Sequence, residues 1–188
     1  MTDTQYPHGI NMYRDNILDK RFADELYWLL LNTPWHARNI ANRNTYPYGD
    51  EGSHLFLGKQ IFWKENEYDI YSEVNKQDMF KFIDLFEHLC NIFNINLKLK
   101  DISANLQFFG QDGTFHTDGN AKETVFILML CNKTLDPDIG GNFINQDTNE
   151  DISFKHGRVI TFKANNKHKG LAFNKPYIPR ISIKFVGE

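Results

Sequence analysis

A mainly β fold, most simply a jelly roll with helices packed outside it, is predicted by two patterns in this sequence. From residue 97 onward, short apolar runs rich in Phe, Ile and Val recur between Gly, Asn and Asp: SANLQFF, ETVFILMLC, GGNFIN, RVITFKA, KGLAF and RISIKFV. Runs of that length between turn signals read as strands of a sandwich or barrel. Ahead of residue 97 the apolar spacing is helical instead. A length of 188 residues predicts one domain with a sizeable core. Within it we expect N-terminal helical support over about 10–96 and a β core over about 97–188, sharing that core.

The elements follow in chain order. Residues 1–9 read as a tail. In DKRFADELYWLLLN, residues 19–32, Phe22, Leu26, Leu29 and Leu30 repeat at helical spacing, Asp19 offers an N-cap, and Pro34 follows the end. A second helix is expected over 76–93, where Met79, Phe80, Ile83, Phe86, Leu89 and Cys90 recur at three and four. Between the helices, residues 38–60 are polar and rich in Gly, Asn and Tyr. A loop that long in a compact domain is usually functional or mobile, and Tyr46, Pro47, Tyr48 and three glycines suit a lid over a pocket mouth as well as they suit a disordered surface excursion.

Composition narrows the functional classes. The formal net charge of −3 gives no general polyanion-binding surface. No apolar stretch approaches the ~20 residues that span a bilayer, and the N-terminus lacks a secretory pattern. Cys90 and Cys131 lie in apolar surroundings, as two reduced thiols would. We therefore expect a cytoplasmic protein. Abundant Asn, Lys, Ile and Phe point to an AT-rich genome, and so to a bacterium or a phage-infected host cell.

The chemistry concentrates in GTFHTDGN, residues 113–120. His116 and Asp118 are two apart, so on an extended chain both side chains share a face. His168, beyond the RVITF strand, offers a third donor. Two imidazoles and one carboxylate form the facial triad of non-haem Fe(II) oxygenases, with positions left open for a chelating keto acid and O2. A structural zinc site would close four positions, usually with cysteines, and none is near in sequence. His8, His36, His54, His88 and His156 have no such company and are assigned to structure or surface. Arg180 opens the alternating strand Ile181, Ile183, Phe185, and its planar fork suits a carboxylate. Arg158, after Gly157, is assigned to a turn or the surface.

Order and spacing over residues 104–186 resemble the 2-oxoglutarate- and Fe(II)-dependent dioxygenases, in particular the small prolyl-4-hydroxylase-like enzymes of phages and bacteria. The residues that carry this are Ala104, Asn105, Gln107, Gly110, Gly113, His116-Thr117-Asp118, the strand Val125 to Leu130 and Asn132. They continue with Asp136-Pro137, Gly140-Gly141-Asn142-Phe143, Gly157-Arg158-Val159, Phe162, His168 and Arg180-Ile181-Ser182. The resemblance implies a double-stranded β-helix (a cupin-like jelly roll) and Fe(II) held by His116, Asp118 and His168. It also implies that Arg180 grips the distal carboxylate of 2-oxoglutarate with help from Ser182. Asn105 and Gln107 are further candidates for the cosubstrate or substrate. The tyrosine that some relatives carry on the strand after HxD is missing, because Phe126 to Leu130 are all apolar.

The implied activity is hydroxylation coupled to conversion of 2-oxoglutarate and O2 into succinate and CO2, with ascorbate as an optional reductant. The resemblance favours a prolyl residue of a peptide or protein as substrate. Alternatives are a small metabolite such as a free amino acid, a nucleic acid, or a non-catalytic cupin-like metal-binding protein. Nucleic acid is disfavoured because Lys184 and Phe185 follow where such enzymes carry a second arginine, and the net charge is acidic.

Overall fold

The computed structural model describes residues 12–37, 57–64, 69–132 and 139–188. His8, His54, Asp136, Pro137 and residues 38–56 of the expected lid lie outside the described residues.

Strand β1 (Met12–Arg14) leads to helix α1 (Lys20–Leu31), then β2 (His36–Ala37), β3 (Leu57–Lys64), β4 (Ile70–Tyr71) and helix α2 (Lys76–Phe93). Seven strands follow: β5 (Leu99–Gln107), β6 (Thr124–Leu130), β7 (Phe143–Asn145), β8 (Glu150–Ile152), β9 (Val159–Lys163), β10 (His168–Gly170) and β11 (Arg180–Gly187). The major sheet runs β1-β9-β6-β11-β5-β3-β2, with β4 on β3, and the minor sheet runs β10-β7-β8. These antiparallel sheets are those of a double-stranded β-helix, as expected.

Local chemistry sets the helix ends. The Asp19 carboxylate accepts from the backbone N–H of Arg21 and Phe22 and so caps α1. Asn75 caps α2 by accepting from the Asp78 N–H, and Asn94 ends it in the left-handed conformation. The buried stripe of α2 is Met79, Phe82, Leu85, Phe86, Leu89, Cys90 and Phe93. Phe80, expected on that stripe, is instead exposed beneath the Lys76 ammonium. Cys90 and Cys131 are free and buried.

Strand alternation then sorts the major sheet into two faces. Phe126, Leu128 and Leu130 of β6, Ile181, Ile183 and Phe185 of β11, and Ile102, Ala104 and Leu106 of β5 join the core under the helices. On the other face Val125, Ile127 and Met129 of β6 and Ile160 and Phe162 of β9 meet Phe143 and Ile152 of the minor sheet. β6 is buried along its whole length because it is covered on both sides.

Three features depart from the sequence reading. Residues 57–60, taken as the end of the loop, begin β3, which pairs with β5 and extends the major sheet into the N-terminal half. β1 pairs with β9 at the opposite edge. Arg158 is buried rather than at the surface: its Nε and Nη2 donate to Asp15 at 2.7 and 3.0 Å, fixing the segment after β1 against β9. The two parallel bonds hold the Asp15 carboxyl down at about 2, against burial, with the Lys155 ammonium also helping.

Candidate active site

The site occupies the inner face of β5 and β11. Each residue one step from the helix-facing positions points between the sheets, and here those positions are polar: Asp101, Ser103, Asn105 and Gln107 on β5, and Arg180, Ser182 and Lys184 on β11. The antiparallel register sets Arg180 opposite Gln107, Ser182 opposite Asn105, and Lys184 opposite Ser103. A polar stripe inside an otherwise apolar barrel costs stability unless it is paired or serves a ligand.

Facing it, His116 and His168 form a reciprocal backbone bridge, each N–H donating to the other's carbonyl at 3.0 and 2.9 Å. This pairing continues the minor sheet one residue beyond β10. Asp118 follows in a loop whose N–H groups at 118 and 119 both donate to the Ala164 carbonyl. Gly119 leaves room for the Glu123 carboxylate, which accepts from the Asn120 N–H and would have to shift if a Cβ stood there. The expectation that His116, Asp118 and His168 converge is met: one donor atom from each lies within 4.8 Å of the others.

The protonation pattern of this cluster points to a cation. His116 Nδ1 lies 2.8 Å from the Thr114 carbonyl and His168 Nδ1 lies 2.9 Å from that of Asn166. A carbonyl only accepts, so in the neutral ring both Nδ1 atoms carry the hydrogen and both Nε2 atoms present lone pairs. Those lone pairs face the Asp118 carboxylate, with His168 Nε2 3.2 Å from Oδ2 and His116 Nε2 3.8 Å from Oδ1. Burial also pushes His116 down, favouring its neutral form. Asp118 Oδ2 is buried with no hydrogen-bond donor. Burial opposes ionisation of Asp118, yet neighbouring positive charge, the Lys184 ammonium first, holds its carboxyl below the usual range. Three electron pairs converging in a buried site fit a divalent ion of the Fe(II), Mn, Co or Ni type. Phe143 stacks on the His168 ring at 5.2 Å and Phe162 meets it edge-on at 4.5 Å, fixing its orientation.

Arg180, Ser182, Asn105 and Gln107 line the same cavity as the triad. Arg180 is fully buried, and burial pulls it down to about 10, still charged at neutral pH. Among the described residues no carboxylate lies within ion-pair distance of it. Its Nη1 donates to the Gln107 side-chain oxygen, its Nε has no partner, and the Asn105 side-chain oxygen is likewise unpartnered. Gln107 in turn donates to the Gln111 carbonyl at 2.8 Å, so it orients the arginine rather than reaching for a ligand. A buried guanidinium with no carboxylate in direct contact among the described residues, only Asp112 acting at longer range, and with a free polar atom beside it, fits a carboxylate ligand.

The cavity also holds residues that motif order did not single out for the site. Lys184 lies 3.2 Å from Asp118 Oδ1. Gly170 forms the wall against Arg180, and Ile127 and Phe143 supply apolar lining. The signal for Lys184 was available in the alternation 180, 182, 184 along one face of β11. Of the histidines set aside, His36 and His88 are exposed, and His156 is structural, accepting from the Cys131 N–H at 3.1 Å.

In this double-stranded β-helix two imidazoles and a carboxylate stand at one end of a polar stripe and a buried arginine at the other. Solved structures share the fold. Over 94% of this chain and 84% of the other, the fold matches an oxidoreductase of the 2OG-Fe(II) oxygenase family from Burkholderia pseudomallei, with a TM-score of 0.70 at 13% identity. It matches a prolyl-4-hydroxylase from Pseudomonas putida over 96% and 93% of the chains, with a TM-score of 0.65 at 14% identity. A third match is a viral collagen prolyl hydroxylase from Paramecium Bursaria Chlorella virus-1, solved as a 2OG complex, over 98% and 97% with a TM-score of 0.58 at 16% identity. No protein-family model and no curated protein matches the sequence. The fold is that of the 2-oxoglutarate/Fe(II) oxygenases, prolyl hydroxylases among them. Among the described residues no helix is long and apolar enough to cross a membrane.

Proposed function

We propose that this protein is an Fe(II)- and 2-oxoglutarate-dependent oxygenase that hydroxylates a prolyl residue of a peptide or protein. The observation that carries the reading is the pairing, in one cavity, of the convergent His116, Asp118 and His168 donors with the buried, anion-lacking Arg180. The prolyl substrate is supported by the prolyl hydroxylases among the structural matches.

His116, Asp118 and His168 would hold the metal. The metal, when bound, supplies the redox chemistry that splits O2. One oxygen atom enters succinate as CO2 leaves 2-oxoglutarate, and the other enters the new hydroxyl. The protein's share is placement and exclusion. The Arg180 fork takes the distal carboxylate, Ser182 and the free Asn105 oxygen offer further hydrogen bonds, and Gln107 fixes the guanidinium. Phe143, Phe162 and Ile127 keep the metal side dry.

The test is succinate formation from 2-oxoglutarate under air and under argon, against prolyl peptide, amino-acid and nucleotide panels. The account expects succinate only under air, with stimulation and a 16 Da mass gain on a prolyl peptide. Stimulation confined to another panel would replace the substrate class while keeping the chemistry.

A further inference from the structure

The inner face of β11 carries one cation more than the proposed reaction uses. Lys184 is buried between two carboxylates, with its Nζ 3.2 Å from Asp118 Oδ1 and 3.6 Å from Asp101 Oδ2. Asp101, across the sheet on β5, also accepts from the Gln60 side-chain amide. The Asp118 carboxylate is almost completely shielded from water. A buried carboxylate needs a positive charge to hold its place. Lys184 is the side chain that supplies one from within the fold.

We propose that Lys184 is a resident counter-cation of the metal-free triad, which keeps Asp118 in place before the metal arrives and lowers the site's affinity for it. The inference rests on the reading of the triad as a metal site. A divalent ion between the three donors takes over the compensation of Asp118 and meets the ammonium as a like charge. Asp101 gives the ammonium a second anchor, so Lys184 stays in the barrel with the metal bound. Lys184 therefore acts as a positioning residue, through its contact with Asp118.

The consequence runs opposite to that of a residue that merely helps to build the site. Lys184→Met removes the competitor from the holo form and the counter-charge from the apo form, and both effects favour metal uptake. Replacing Asp101 by Asn removes the carboxylate that draws the ammonium away from Asp118, and this strengthens the competitor.

The experiment is Mn2+ titration of chelator-treated protein, with melting temperatures of the metal-free and Mn2+-saturated forms, for wild type, Lys184→Met, Lys184→Arg and Asp101→Asn. Removing one unit charge close to a dication in a partly buried site predicts that Lys184→Met binds Mn2+ about tenfold tighter or more. Its metal-induced rise in melting temperature should exceed that of the wild type. Lys184→Arg keeps the charge and should stay near wild type, while Asp101→Asn should bind Mn2+ about tenfold more weakly. Equal or weaker binding by Lys184→Met, with equal losses of stability in both forms, would make Lys184 a plain structural ion pair and overturn the proposal. Should Lys184→Met fail to fold, unchanged or tighter binding by Asp101→Asn overturns it by itself. A wild type that binds no Mn2+ removes the metal reading as well, a result distinct from all of these.

Discussion

A Cβ placed on Gly170 would lie 2.9 Å from Nη1 of Arg180 and 3.2 Å from Nη2, so the residue two beyond His168 is also the wall against which the arginine rests. The minor sheet thus places His168 and the wall against Arg180 on one three-residue strand, β10. Gly170→Ala would displace the guanidinium by contact, shifting it within the cavity it lines. Loss of one charge-assisted hydrogen bond is worth about 1.5–3 kcal/mol, or roughly 10- to 150-fold. We expect 2-oxoglutarate affinity to fall by that range with Mn2+ affinity unchanged, measured by titration of the Mn2+-loaded protein.

Arg180→Ala should be more severe. Truncating one partner of a buried, hydrogen-bonded charge pair costs about 2–5 kcal/mol, about 30- to several-thousand-fold in 2-oxoglutarate affinity. Arg180→Lys keeps the charge without the fork and should recover part of the loss. The same titration checks both variants, and an alanine variant binding as well as wild type would move the clamp elsewhere.

The Asp15–Arg158 pair gives a pH-dependent prediction. The folded-state value for Asp15 is about 2, below the ordinary 3.8, because Arg158 donates to the carboxylate. Its contribution is complete above the ordinary value and is lost as pH falls through about 2. The carboxylate side chain is a quarter exposed, so we expect Asp15→Asn to cost about 1 kcal/mol at neutral pH. The gap from wild type should close towards pH 2, as followed by denaturant unfolding across pH 2–7.

Phe126 separates fold from site. Its buried ring lies 5.4 Å from that of Phe93 and 6.1 Å from that of Phe86, on the helix side of β6 and away from the cavity. Phe126→Ala should cost about 3–5 kcal/mol of stability. Mn2+ affinity, measured below the new melting temperature, should stay close to wild type.

The part of the molecule legible in the sequence is the part written in local patterns. The helices at 20–31 and 76–93 announced themselves by apolar spacing and caps, and β11 by its alternation. His116 and Asp118 stand two apart, so only His168 had to be brought in from a distance. Long-range pairing left no such trace. β2 and β4 are two residues each, too short for any periodicity, and β3 continues a polar stretch that reads as loop. Arg158 looked exposed because its partner, Asp15, lies 143 positions earlier. Lys184 was read as a missing arginine because the contact with Asp118, across 66 positions, is created by the fold.

The central claim is that His116, Asp118 and His168 form with Arg180 a single site in which 2-oxoglutarate binds on a metal. The most direct measurement is 2-oxoglutarate affinity by anaerobic titration with and without saturating Mn2+, in wild type and in Asp118→Ala. The account predicts binding in wild type only when the metal is present, and none in Asp118→Ala under either condition. Binding that ignores the metal, or its absence from the Mn2+-loaded wild type, would contradict it.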